Sequence, residues 1–89
     1  MLVPVTQKHI DNGIASDAQF CMVAKAIRAK MKKKADVQVC DVEIEINGML
    51  YFNTKALSDK IVAFDKNPKR VKPFTLKLDK ERQTATVVR

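Results

Sequence analysis

Apolar residues along this chain change their period three times, and each change marks a new element. Leu2 to Val5 reads as a short strand, with Pro4 limiting it to a sheet edge. Thr6 is placed to cap a brief helix over residues 7–12, which Gly13 ends in a left-handed cap. Ser16-Asp17-Ala18-Gln19 fits a capping box, and Phe20, Val23, Ala24, Ile27 and Met31 then recur at spacings of three and four. That spacing predicts a helix over residues 17–33 with one apolar face. Its opposite side carries Lys25, Arg28 and Lys32 in a line.

The period then falls to two. Val37 and Val39 occupy odd positions, whereas Val42, Ile44 and Ile46 occupy even ones. One uninterrupted strand would send the two sets to opposite faces, so a bulge, bend or break is expected at Cys40-Asp41. Asn47-Gly48 is a strong signal for a two-residue hairpin. With those residues as the loop, Ile46 faces Met49, Ile44 faces Tyr51, Glu45 faces Leu50 and Glu43 faces Phe52. Leu50 and Phe52 then share a face with two glutamates, and that face is expected to be covered by a helix or to serve as a protein interface.

Asn53 or Thr54 caps a further helix through Ala56, Leu57, Lys60, Ile61 and Phe64, ending near Asn67-Pro68. A basic loop, 68–73, leads to a strand over 74–79, a polar turn and a closing strand over 84–88. The expected fold is α+β: a small single domain with a mostly antiparallel sheet of four to five short strands, two main helices and one short N-terminal helix.

The 89 residues suffice for one modest core, and 46% hydrophobic content argues against disorder. Residues 1–5 lack the pattern of a signal peptide, and no apolar run approaches the roughly 20 residues of a membrane span. A cytoplasmic location without membrane contact is expected, with Cys21 and Cys40 reduced and packed as small core hydrophobes.

Charge adds the main functional clue. The chain carries +7, and ten of its seventeen Lys and Arg residues fall in two runs. One is Lys25, Arg28, Lys30, Lys32, Lys33 and Lys34; the other is Lys66, Lys69, Arg70 and Lys72. Such runs attract phosphate backbones or acidic protein surfaces, and they also serve simply to keep a protein soluble. No metal spacing surrounds the single His9, and no phosphate-binding glycine loop is present. Asp41, Glu43 and Glu45 stand about 6.5–7 Å apart along a strand, too far for neighbours to share a proton. No nucleophile is selected by its neighbours, so no enzyme activity, cofactor or metal is expected. Binding to nucleic acid would be electrostatic and weakly sequence-selective, because no helix-turn-helix or aromatic recognition pattern appears.

Thr6, His9, Ile10 and Gly13, followed by Cys21, Ala24 and Ala26 and then by Tyr51, Phe64, Asp65, Pro73 and Phe74, form a pattern. It resembles small uncharacterised phage and prophage proteins with a Thr-x-x-His-Ile-x-x-Gly opening. The likeness covers about residues 5–78; Cys21-Met22 departs from the Cys-Pro that such proteins often carry. The resemblance implies a phage or prophage origin and an intracellular site of action and supplies no activity; by analogy, compact phage proteins of this size are often accessory factors that bind host machinery or defence complexes. Two partners are compatible with these features. The basic residues Lys25, Arg28, Lys32, Lys33, Lys34, Lys69, Arg70 and Lys72 would engage nucleic acid or an acidic nucleoprotein complex. Alternatively, the protein would inhibit or modulate a host enzyme or defence complex, with Leu50 and Phe52 at an interface or in a homodimer.

Overall fold

The computed structural model describes residues 1–32 and 34–88. Nine elements follow in order: β1 (Leu2–Val5), α1 (Gln7–Asn12), α2 (Met22–Met31), β2 (Val37–Val39), β3 (Glu43–Ile46), β4 (Met49–Asn53), α3 (Lys55–Lys66), β5 (Phe74–Asp79) and β6 (Thr84–Val88). A 3₁₀ turn, Pro68–Arg70, follows α3. The strands form one sheet in the order β1-β5-β6-β4-β3-β2. Every pairing is antiparallel except β4 with β6. The α+β class stands, but six strands replace the expected four to five, and the sheet is mixed.

The extra strand comes from the period switch. The chain does not bend at Cys40-Asp41; it reverses, so that Val39 pairs with Ile44 and Val37 with Ile46. The reversal changes parity while keeping all four side chains on one buried face. Asn53 fixes it, donating from Nδ2 to the carbonyls of Cys40 and Asp41. Val42 lies at the tip and is 61% exposed, so it is not a core residue. The Asn47-Gly48 hairpin has the expected register, with positive φ at both loop residues.

Hydrophobic residues of the inward sheet face meet α2 and α3, and Ile10 of α1 joins the same core cluster. Val3, Val5, Val37, Ile44 and Leu76 are fully buried with Val23, Ile27, Leu57 and Phe64. Each contributes about 1.5–3 kcal/mol by leaving water. Helix α2 packs against both β1 and β2, the two edges of the sheet. The sheet therefore curls around α2.

Both edges are protected. Met1 and Leu78 exchange two ladder bonds, of 2.8 and 2.9 Å. The alternation of an antiparallel ladder then turns the Pro4 nitrogen, which has no hydrogen to offer, toward the free side of β1. On β2, the Val39 N–H donates to the Ala18 carbonyl at 2.9 Å and the Val37 carbonyl accepts from Arg28. These contacts occupy edge groups that another strand would need.

Helix α2 starts later than the sequence pattern predicts. The Asp17 carboxylate accepts from the N–H groups of Gln19 and Phe20, and Ser16 has φ +58°. That local turn competes with a capping box and delays the helix to Met22. The C-terminal end is set by Lys32 in the left-handed region, its N–H donating to the Arg28 carbonyl. Helix α1 matches its predicted bounds. Its cap is reciprocal: Thr6 Oγ1 accepts from the His9 N–H, and His9 Nδ1 accepts from the Thr6 N–H at 3.1 Å.

Gly13 follows α1 in extended conformation rather than as a left-handed cap. Its role is close approach. A Cβ there would lie 2.7 Å from the Met22 nitrogen, 2.8 Å from Phe64 Cζ and 2.9 Å from the His9 carbonyl. Two of those neighbours are backbone and the third is a fully buried ring, so none yields easily. Gly13→Ala is expected to cost about 1–3 kcal/mol in urea unfolding. A variant as stable as the parent would contradict this packing.

Candidate functional site

The helical layer gathers the basic residues. Helix α1 touches both α2 and the Pro68–Arg70 turn. The two basic runs thus flank α1, which adds Lys8 between them. Lys8, Lys30, Lys32, Lys34, Lys66, Lys69, Arg70 and Lys72 are exposed, and Lys25 is half-buried. Lys33 lies outside the described residues. The second run is anchored by buried Val71 and by Asn67, whose Oδ1 accepts from the Lys69 N–H at 3.2 Å.

None of the described cations of the two runs forms an ion pair. The one ion pair among the described residues is Lys55 with Asp59, 3.0 Å apart on exposed α3. Several carboxylates are instead committed to backbone. Asp17 holds its own turn, Asp65 accepts from the Ser16 N–H at 2.8 Å, and Asp79 accepts from the N–H groups of Glu81 and Arg82. The Arg82 N–H leads in holding the Asp79 carboxyl below its ordinary range.

Arg28 does not belong to the solvent-facing line expected of it. It is half-buried and donates to the carbonyls of Gln19 and Val37. Its guanidinium carbon also lies 5.4 Å from the centre of the Phe20 ring, with Lys25 Nζ at 5.8 Å. Phe20 is not a core residue: it is 45% exposed, because the turn before α2 carries it off the helix's apolar face. Ile14 joins it at the surface, its N–H donating to the Phe20 carbonyl at 2.8 Å. The line of Lys25, Arg28 and Lys32 thus divides into an aromatic-basic cluster at the start of α2 and a basic C-terminal cap.

A cleft of about 430 Å³ beside that cap is lined by Pro4, His9, Ala26, Ala29, Lys30 and Lys32. Burial, followed by the charge of Lys8, lowers the His9 pKa; the Pro4 carbonyl opposes this and Lys25 adds to it. A larger cleft, about 550 Å³, is lined by Cys21 and Cys40 with Asp17, Asp41, Asp65 and Lys66. The cysteines differ from expectation and from each other: both are free, Cys21 is buried, and Cys40 is exposed beside the β2–β3 reversal. Burial pushes the Cys21 thiol up, which disfavours a thiolate nucleophile. His9 lines the other cleft, so it does not stand as a base beside either thiol. Among the described residues, no group of three His, Cys, Asp or Glu is positioned to hold a metal ion.

The opposite sheet face has another character. Leu50 and Phe52 lie beside half-buried Glu43 and Glu45, and no helix among the described residues covers them. Phe52 is 53% exposed. Among the described residues the expected intramolecular cover is therefore absent, because α2 and α3 pack on the other face. No helix among the described residues is long and apolar enough to cross a membrane.

Comparison with protein-family models, curated proteins and solved structures finds no match to this chain.

Arg28 and Lys25 should separate under mutation. Arg28→Gln removes two charge-assisted bonds to backbone carbonyls and is expected to cost about 1.5–3 kcal/mol. Lys25→Gln should stay within about 0.5 kcal/mol of the parent. Equal urea midpoints for the two variants would show Arg28 to be a surface charge like its neighbour.

Proposed function

We propose that this is a non-catalytic, phage-type accessory protein acting by binding in the cytoplasm of a bacterial host. Its basic helical layer engages nucleic acid or a nucleoprotein complex. The observation carrying this reading is the imbalance of pairing. The described lysines of the two runs form no ion pair, while several carboxylates are hydrogen-bonded to backbone N–H groups. Unpaired ammonium groups keep the field that attracts phosphates and can release counterions on binding.

The test is salt dependence. Affinity for duplex and single-stranded DNA and RNA should fall steeply between about 50 and 200 mM salt. Replacing Lys30, Lys32, Lys69 and Lys72 by Gln should lower affinity for every sequence. It should also flatten the logarithmic salt slope, by about 0.9 for each duplex phosphate no longer neutralised. A variant that binds with the parent's affinity and slope would reduce these lysines to a solubility surface.

The uncovered sheet face supports a second reading, in which the protein inhibits or modulates a host enzyme or defence complex. Leu50 and Phe52 would then meet a protein partner or a second copy of the chain. Because β4 is an internal strand and both sheet edges are protected, such a dimer would pack face to face. Sedimentation equilibrium should detect a dimer that Leu50→Thr with Phe52→Thr weakens at least tenfold, corresponding to about 1.4 kcal/mol. A parent that sediments as a monomer at all concentrations ends the homodimer form of this reading.

A further inference from the structure

We propose that Phe20 is a stacking platform for an unpaired base, so that the basic surface takes single-stranded rather than duplex nucleic acid. This inference rests on the nucleic-acid reading above and assigns its substrate class.

Two large aromatic side chains stand open to water, and they differ in surroundings. Phe52 lies on the sheet face opposite Glu43, with Glu45 nearby, where a phosphate backbone meets like charge. Phe20 lies under Arg28 and Lys25, at 5.4 and 5.8 Å from its ring centre. The remaining aromatics are less available: Phe64 and Tyr51 are buried, and Phe74 is half-buried with Lys60 5.0 Å from its ring centre. Phe20 therefore combines an open ring with the charge that would hold a strand against it.

The ring is also pre-positioned. The Gln19 and Val37 carbonyls tie Arg28 between the start of α2 and the edge of the sheet. The guanidinium in turn supports the ring, so a base stacking on Phe20 orders little that is not already ordered. Exposed Ile14, bonded through its backbone to Phe20, extends the apolar surface beside it. Lys25 adds an ammonium at the ring. Lys32, seven residues on at the end of α2, lies on the same side of the helix about 10 Å further along. An aromatic plate beside a basic track is the arrangement that single strands use: their bases offer a free π-face, whereas duplex bases stack on one another.

Fluorescence anisotropy with a short oligothymidylate, and with a duplex of equal length, tests this. The parent should prefer the single strand. Phe20→Leu keeps apolar bulk but removes the π-face; it should weaken oligothymidylate binding about tenfold, leaving the salt slope unchanged and duplex affinity within about twofold. Phe20→Trp should bind the single strand at least as tightly as the parent. Thermal unfolding of each variant separates weaker stacking from a weaker fold. If the parent binds the single strand and Phe20→Leu binds it equally well, the stacking role is wrong while the basic surface stands. If the parent binds duplex and single strand alike, the assigned substrate class is wrong. If the parent binds neither, the nucleic-acid reading itself fails, this inference fails with it, and the Ile14–Phe20 patch becomes a protein-docking surface.

Discussion

A curled sheet of short strands has two edges to close, and α2 reaches both of them. It packs on β1 at one side and on β2 at the other, placing Val23 and Ile27 in the fully buried core. The contact is more than apolar. Arg28 gives a hydrogen bond to the Val37 carbonyl, and the turn before α2 accepts the Val39 N–H. These bonds fix where the helix lies relative to the edge, and hence how far the sheet curls. Displacing α2 would uncover the core and an open strand edge together, the two features most prone to aggregate. Gly13 completes the arrangement by letting the end of α1 approach Met22 and Phe64 closely.

The same packing separates the molecule's surface chemistry. With α2 and α3 on the inner sheet face and α1 packed on α2, the helical layer takes the lysines of α1, α2 and the loop after α3. The bare sheet face keeps Glu43 and Glu45 with Leu50 and Phe52. Turn geometry sharpens the contrast. Asp17 and Asp79 satisfy backbone N–H groups in their own turns, and Asp65 reaches across from α3 to the Ser16 N–H, which draws their charge toward the chain's own dipoles. The chain carries +7 with ten acidic residues, and ten of its seventeen Lys and Arg residues fall in the two runs of the helical layer.

Legibility in the sequence follows how local the deciding interaction is. Thr6 with His9, Asn47 with Gly48, and Pro4 at an edge act over a few residues, and their structural consequences are readable in advance. The Leu50 and Phe52 register follows from the hairpin alone. Cys40-Asp41 is an intermediate case: the parity change signals an interruption, but bend and reversal differ only in which later strand becomes the neighbour. The pairing of β1 with β5 and of β4 with β6 joins distant segments, and no periodicity encodes it. The start of α2 misleads because two local signals compete. Ser16 to Gln19 satisfies a capping pattern, yet the Asp17 side chain reaches its own downstream N–H groups first.

That competition has the largest consequence for the candidate site. A helix beginning at residue 17 would set Phe20 on one face with Val23, Ala24 and Ile27, and its ring would join the core. A helix beginning at Met22 leaves Phe20 in the preceding turn, outside the apolar stripe and at the surface. Arg28, placed by the same helix, then finds two carbonyls and an aromatic ring instead of open water. One local choice at Asp17 therefore moves an aromatic out of the core and sets a tied cation over its ring. The cost of an exposed Phe is offset by a bond that also closes the sheet edge. For that reason edge closure and the open ring are coupled: removing the arginine loosens the strand and the aromatic together, whereas removing the ring leaves both carbonyl bonds in place.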